Sequence, residues 1–328
     1  MPALLIYGAT GYTGRLATQH AKELGINMVV GGRSEATKTF ASELGLPSRL
    51  FDLADPERID AALDGISVLL NCAGPFYRTA EPLINACIRN KVHYLDVAAE
   101  LDSYKLAEKH DTAAKAATVM LLPGCGGSVA MLGCLAGHAI SRVENPSRID
   151  ISLYVAGSMS RGSAISASEN LTAECLQVAD GELVPQEATK MVQLDFDNGA
   201  GPVMNYPVTL PDLITLRRST QVASMRTFVH AAGDAFPTGD LAALPDGPTA
   251  EQRDAASYHA VIVVETVDGA AKRSVLHTVN GYTFTGKASV EGAKRVLAGA
   301  VKAGFQTPAE VFGSRFVEVV KGSRIVDF

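Results

Sequence analysis

Three glycines at intervals of three, Gly8, Gly11 and Gly14, follow the apolar run Ala3–Tyr7, and a helical pattern opens after them with Leu16, Ala17 and Ala21. A strand, a tight turn and a helix in that order let the backbone approach a pyrophosphate, while the helix start offers N–H groups and the positive end of its dipole. The usual dinucleotide fingerprint is G-x-G-x-x-G. A glycine every third residue meets the same shape requirement, and the strand before and helix after set it apart from a plain turn. The turn Gly8, Thr10, Gly11, Tyr12, Thr13 and Gly14 is therefore expected to bind a dinucleotide. An NAD-binding unit carries an acid at the end of its second strand to take the ribose 2′-hydroxyl. Here that position reads Gly31-Gly32-Arg33-Ser34. With no carboxylate present, Arg33 and the Ser34 hydroxyl suit a 2′-phosphate, which predicts NADP (NADPH) as the cofactor. Asp52, ending the third strand, is expected at the adenine edge.

Residues after later strands fall on the same edge of such a sheet. Asn71, Ala73, Gly74 and Pro75 follow the fourth strand, where the nicotinamide half would run, and the small residues leave room for a ribose. Tyr77, Asp96, Glu100 and Cys125 are the candidates to line a hydride site. Each has a plain alternative: Tyr77 as packing, Asp96 as a helix cap, Glu100 as a solvated charge, Cys125 as a small buried thiol. Reducing a C=N or C=C bond takes one hydride and one proton, so one acid, or water, suffices. A short-chain dehydrogenase would need Tyr-x-x-x-Lys, and none of the nine tyrosines has Lys four residues on. Gly126-Gly127-Ser128-Val129-Ala130 has the outline of a hydrolase nucleophile elbow, but its last glycine is Ala and Ser128 reads as a helix cap. A non-catalytic NADP(H)-binding redox sensor is the alternative from outside enzymology.

The elements that position these residues alternate strand and helix up to about residue 125. Strands are expected at Asn27–Gly32, Ser48–Asp52, Val68–Gly74, Val92–Val97 and Val119–Leu122, with Asp55-Pro56-Glu57 opening a helix between the third and fourth. Six β/α units in sequence imply an α/β fold with a doubly wound parallel sheet. Beyond it, Arg148–Val155 alternates like a half-buried strand, and Val261–Glu265 and Arg273–Thr278 flank a hairpin signal at Val267-Asp268-Gly269. A second α/β domain with a mostly antiparallel sheet follows. Between these strands the pattern gives a loop from Gly157 to Ser163, a helix near Ser168–Val178, a strand at Arg226–His230 and a long excursion or lid over 233–253. Near the end come an amphipathic helix over Val290–Ala303, a capping box at Thr307-Pro308-Ala309-Glu310, and strands at Phe316–Val320 and Arg324–Phe328. The expected division is 1–125, 126–280 and 281–328, the last returning to the first domain.

The chain has 328 residues, ample for a sizeable core, and a net charge of −6. Its basic residues are scattered among acids, so no nucleic-acid partner is implied. The first strand begins within a few residues of Met1, which leaves no room for a signal peptide and makes the cytoplasm the expected location. Ala116–Ile140 lacks Asp, Glu, Lys and Arg, yet Pro123-Gly124-Cys125-Gly126-Gly127 divides it into a buried strand and a buried helix rather than a membrane span. Five cysteines without a C-x-x-C pair fit reduced thiols, and no metal site is expected. A small-molecule substrate is the expected partner. The apolar face of the Val290–Ala303 helix is left open between burial in the chain and a homodimer contact.

Gly8-Ala-Thr-Gly-Tyr-Thr-Gly14, Gly32-Arg33, Asn71-Cys-Ala-Gly-Pro-Phe76, Tyr94-Leu-Asp96 with Glu100, Gly281-Tyr282, Thr307-Pro-Ala309 and Gly313 together resemble the saccharopine dehydrogenase (reductase)-like family, including its trans-acting enoyl reductase branch. The likeness is dense over the first hundred residues and thin from about 145 to 275. It implies a Rossmann domain, an inserted α/β domain, and hydride transfer from NAD(P)H to an unsaturated carbon. The family's Pro-Gly-Cys-Gly segment is kept at Pro123–Gly126, but it continues Gly-Ser-Val-Ala-Met here instead of with polar residues.

Overall fold

A computed structural model describes residues 3–170, 174–220, 222–233, 235 and 239–328. The chain divides into two units, Met1–Gly127 with Thr285–Val311, and Ser128–Phe284 with Phe312–Phe328. In chain order the elements are β1 (Leu4–Tyr7), α1 (Tyr12–Glu23), β2 (Met28–Gly32), α2 (Glu35–Leu44), β3 (Ser48–Leu50), α3 (Pro56–Ala62), β4 (Val68–Asn71), α4 (Phe76–Asn90), β5 (His93–Asp96), α5 (Leu101–Lys109), α6 (Asp111–Ala116) and β6 (Met120–Leu122). There follow α7 (Gly127–Ile140), β7 (Pro146–Ala156), α8 (Arg161–Asn170), β8 (Leu176–Ala179), β9 (Glu182–Pro185), β10 (Val192–Asp195), β11 (Pro202–Pro207), α9 (Asp212–Ser219), β12 (Ser224–Ala232), α10 (Ala250–Asp254), β13 (Tyr258–Thr266) and β14 (Ala271–Thr278). The chain closes with α11 (Gly281–Leu297), β15 (Gly304–Phe305), α12 (Pro308–Phe312) and β16 (Arg324–Asp327).

The first unit is built on a seven-stranded sheet in the order β15-β6-β5-β4-β1-β2-β3, parallel throughout. Every residue of β1, β4 and β6 is buried, as expected of central strands covered on both faces. Strand order reverses between β1 and β4, which opens a crevice at the carboxyl ends of these two strands. Local chemistry fixes the helices: Asp55 accepts from Arg58 N at 3.2 Å to start α3, with Pro56 in its first turn, and Gly45 in the left-handed region ends α2. The Thr307–Glu310 box forms, with Thr307 N to Glu310 Oε2 at 3.1 Å and Glu310 N to Thr307 Oγ1 at 3.3 Å.

The second unit carries a mixed nine-stranded sheet whose main path runs β10-β11-β12-β7-β13-β14-β16, with β8 on β12 and β9 on β8. Only β12 and β7 pair in parallel among its described strands. Along β7 the alternation puts Ile149, Ile151, Leu153 and Val155 on one face and Asp150, Ser152 and Tyr154 on the other. The polar face is not bare: Arg226 grips Asp150 at 2.8 and 2.5 Å, and Ser152 donates to Asn205 at 2.6 Å. The chain around β10 lies over it, where Leu194 and Phe196 pack on Val261 and Val275.

Several expectations need correction. The loop placed at Gly157–Ser163 turns helical from Arg161, and the helix expected over Ser168–Val178 is replaced by the end of α8 and by β8, with 171–173 outside the described residues. Leu176–Ala179 is held as a strand by its hairpin with Glu182–Pro185 and by the pairing of Val178 with Met225 on β12, which outweigh local helical periodicity. The excursion at 233–253 contains a 3-10 turn at Leu241–Ala243 and the start of α10, with 234 and 236–238 outside the described residues. Phe316–Val319 is a 3-10 turn rather than a strand. The helix expected over Val290–Ala303 runs instead from Gly281 to Leu297, and Val290, Ala293 and Val296 are buried within the chain. The stretch expected to return whole to the first domain separates: β15 joins the parallel sheet, while β16 pairs with β14. No helix among the described residues is long and apolar enough to cross a membrane.

Candidate active site

The crevice is walled by the turns after β1, β2, β3 and β4. In the first, Gly11 caps α1 with no side-chain cap hydrogen bond, its N–H donating to the Gly8 carbonyl at 3.0 Å. The three glycines have different reasons to be there. Gly8 has a φ of 76°, and a Cβ on it would stand 2.7 Å from Ala73 N, so the first turn abuts the fourth. A Cβ on Gly14 would collide with the Gly8 carbonyl. Gly11 is exposed, its φ is −70°, and a Cβ there would meet only the Gly8 carbonyl, at 3.3 Å. Nothing in the protein's own packing demands a glycine at that position, so the space beside it fits a ligand that approaches the backbone closely. Thr10, Tyr12 and Thr13 are partly exposed around it. Arg15 braces the turn, donating from Nε to the Thr10 carbonyl at 2.9 Å with its guanidinium 4.6 Å from the Phe40 ring centroid.

After β2, Arg33 is exposed and has no ion-pair partner among the described residues, and Ser34 caps α2 without using its hydroxyl on the helix. Asp52 is exposed after β3 and closes a turn by accepting from Ala54 N at 2.9 Å. Between them lies Tyr7, its ring 4.9 Å from that of Phe51. Burial, then the nearby Asp52 charge, push its phenol up to about 12 against the opposing pull of Arg33.

Residues in and just after β4, β5 and β6 form one buried network. Asn71 Nδ2 donates to Thr79 Oγ1 at 3.0 Å and to the Tyr94 hydroxyl at 3.2 Å, and its Oδ1 accepts from Ala73 N at 3.0 Å. Thr79 in turn donates to the Ala73 carbonyl at 2.6 Å, which fixes the turn carrying Ala73, Gly74 and Pro75. The Tyr94 hydroxyl donates to Asp96 Oδ2 at 2.9 Å, while Asp96 Oδ1 accepts from Ala98 N at 3.0 Å and Gly124 N at 2.7 Å. Asp96 is fully buried, and burial raises its carboxyl to about 6 although the two backbone N–H groups and Tyr94 favour the charged form. Glu100 Oε2 accepts from Phe76 N at 2.9 Å and Tyr77 N at 3.2 Å, so it holds the first turn of α4. Cys125 is buried, with its N–H on the Asp96 carbonyl at 2.8 Å. Tyr77 alone of the four hydride-site candidates is exposed, at 49%, with Arg78 packed 5.0 Å from its ring centroid. Thr79 and Arg15 were not singled out from the sequence, and Tyr94 was quoted only within the Tyr94-Leu-Asp96 resemblance, with no role given to it. Thr79 lies within a helix, with no local pattern to mark it. Among the described residues no group of three or more His, Cys, Asp or Glu is placed to hold a metal ion.

Residues 4–121 match the family described as the saccharopine dehydrogenase NADP binding domain. Over this stretch the chain is similar to that NADP-binding domain. The match takes in β1 to β6 but not the second unit. Among curated relatives, the saccharopine dehydrogenase-like oxidoreductase of Mus musculus is 29% identical over 134 residues, covering 34% of this chain and 31% of that protein. The trans-acting enoyl reductase of Mycobacterium leprae (strain TN) is 29% identical over 132 residues, covering 38% and 32%. The likeness thus spans about a third of each relative's own length. Beyond the NADP-binding domain, the apo histidine-tagged saccharopine dehydrogenase (L-Glu forming) from Saccharomyces cerevisiae aligns over 100% of both chains with a TM-score of 0.68 at 12% identity. A meso-dapdh mutant from Clostridium tetani E88 aligns over 94% of this chain and 93% of its own, with a TM-score of 0.51 at 14% identity. At these identities the two structures share the fold.

Proposed function

We propose that this chain is an NADP-dependent oxidoreductase that transfers a hydride between NADPH and a C=N or C=C bond of a small-molecule substrate. The observation that carries the reading is the exposed Gly11 turn together with Arg33, an exposed cation with no ion-pair partner among the described residues, within a stretch that matches an NADP-binding domain. Gly8, Thr10, Gly11, Tyr12, Thr13 and Gly14 would receive the pyrophosphate at the start of α1. Arg33 and Ser34 would hold the 2′-phosphate, with Asp52 at the adenosine side. Asn71, Ala73, Gly74 and Pro75 would border the nicotinamide half, their turn fixed by Thr79. When bound, NADPH supplies the hydride. Tyr77 is assigned the proton, held at its hydroxyl, since its side chain is the exposed one. Asp96 and Glu100 act as positioning residues, because both Asp96 oxygens accept from backbone N–H groups and Tyr94, and Glu100 Oε2 accepts from two backbone N–H groups. Cys125 lies in the turn that Asp96 holds.

Burial of three of the four candidates favours a second reading, a redox sensor that binds NADP(H) without turnover. NADPH oxidation followed against a panel of imines, ketones and enoyl compounds separates the two. Turnover on one class, reduced at least about tenfold in Tyr77→Phe while NADPH affinity is kept, is the expected result. Tight NADPH binding with no turnover across the panel would replace the oxidoreductase by the sensor.

A further inference from the structure

The second unit contains a row of side chains that the NADP site does not use. Register places His230, Tyr154, His259, His277 and Arg324 directly opposite one another on β12, β7, β13, β14 and β16. Residues opposite in a sheet share a face, with neighbouring strands about 4.8 Å apart. The contacts agree: Tyr154 stacks on His230 at 5.0 Å and 24°, meets His259 edge-on at 5.5 Å, and His259 Nδ1 lies 3.1 Å from His277 Nδ1. Asp197 stands over one end, its Oδ2 at 3.4 Å from His277 Nε2. Arg324 is exposed and has no ion-pair partner among the described residues.

Two imidazoles and a guanidinium in consecutive cross-strand positions, with one carboxylate among them, are an unfavourable arrangement unless the imidazoles stay neutral or an anion joins them. Burial, His277 and Arg324 hold His259 down at about 4, and burial and Arg324 lower His277 despite Asp197. Asp197 already shows that the row accepts a carboxylate. Phe196 already covers the far end of the row, edge-on to Tyr154 at 5.3 Å and 6.4 Å from His230. We propose that the other end of this row is a binding site for a small organic carboxylate, whose anionic head lies on Arg324 and the His259–His277 pair. The site is built wholly within the second unit and does not rest on the NADP reading. An anion there favours protonated imidazole, so binding takes up a proton and strengthens as pH falls.

Benzoate is a suitable probe, with neutral benzamide as the control, followed by histidine ring resonances of the full chain. Saturable benzoate shifts at His259 and His277, about fivefold tighter at pH 6.0 than at pH 7.5, are expected. Arg324→Gln should weaken binding about tenfold or more. His259→Asn should abolish most of the pH dependence, with folding of both variants checked by circular dichroism. The proposal is overturned by absence of saturable shifts at these two rings, by equal affinity at the two pH values, by undiminished affinity in Arg324→Gln, or by benzamide binding as well as benzoate.

Discussion

The glycines of the first turn illustrate how one residue type serves two ends. Gly14 is required by the protein's own backbone, whereas a Cβ on Gly11 would meet only the Gly8 carbonyl, at 3.3 Å. Gly14→Ala is therefore expected to cost about 1–3 kcal/mol of stability or more, read as a fall in thermal midpoint. Gly11→Val should lower the thermal midpoint less than Gly14→Ala and lose NADPH binding in a fluorescence titration. Arg33→Glu should weaken NADPH by roughly ten- to a hundredfold, the worth of charge-assisted hydrogen bonds, while NADH changes little. Equal losses for both nucleotides would remove Arg33 from cofactor selection. At Asp96 the folded carboxyl sits near 6 against an unfolded value of about 3.9. A raised pKa means that stability from this group is present below the unfolded value and lost as pH climbs through 6, on the order of 3 kcal/mol over that window. Urea midpoints between pH 4 and 7 should show this loss, and Asp96→Asn should flatten it.

At the scale of elements, long-range side chains decide where helices and strands hold. Glu100, twenty-four residues beyond Phe76, supplies the acceptor for the first turn of α4. Glu100→Ala leaves two N–H groups without it and should cost about 1–3 kcal/mol, with faster amide exchange at Phe76 and Tyr77. The last strand is held by Asp327, which accepts from Ser274 Oγ at 2.7 Å, lies 3.0 Å from His138 Nε2 and pairs with Arg142. Burial opposes ionisation of Asp327, but Ser274, His138 and Arg142 outweigh it and lower the carboxyl below its ordinary value. Its contribution is thus present above the ordinary carboxylate range and is lost as pH falls through the lowered pKa. Asp327→Ala should release β16 at neutral pH at a cost of about 1–2 kcal/mol, seen as exchange at 324–327 while β1 and β4 stay protected. The strands of the parallel sheet were legible because their apolar runs and flanking caps are local signals. The strands β8 to β11 were not, since they are short, lack apolar runs and take their conformation from the strands they join.

Over the whole molecule, the chain leaves the first unit at Gly127 and re-enters it at Thr285 before ending in the second. NADPH binding is expected to slow amide exchange in the turns at 8–14, 33–34 and 71–75, and to raise the thermal midpoint by mass action, about 2.7 kcal/mol at a hundredfold excess over Kd. Unchanged exchange in those turns would place the nucleotide elsewhere. The sequence by itself determined the β/α alternation, the glycine turn between β1 and α1, and the hairpin of the second sheet, because each rests on periodicity or turn chemistry within a few residues. Only the tertiary structure decided that Asp96 and Glu100 spend their carboxylates on backbone N–H groups, that the C-terminal stretch divides between two sheets, and that three histidines line up across four strands. Those outcomes depend on which distant backbone atoms meet a side chain, and spacing along the chain carries no record of that meeting.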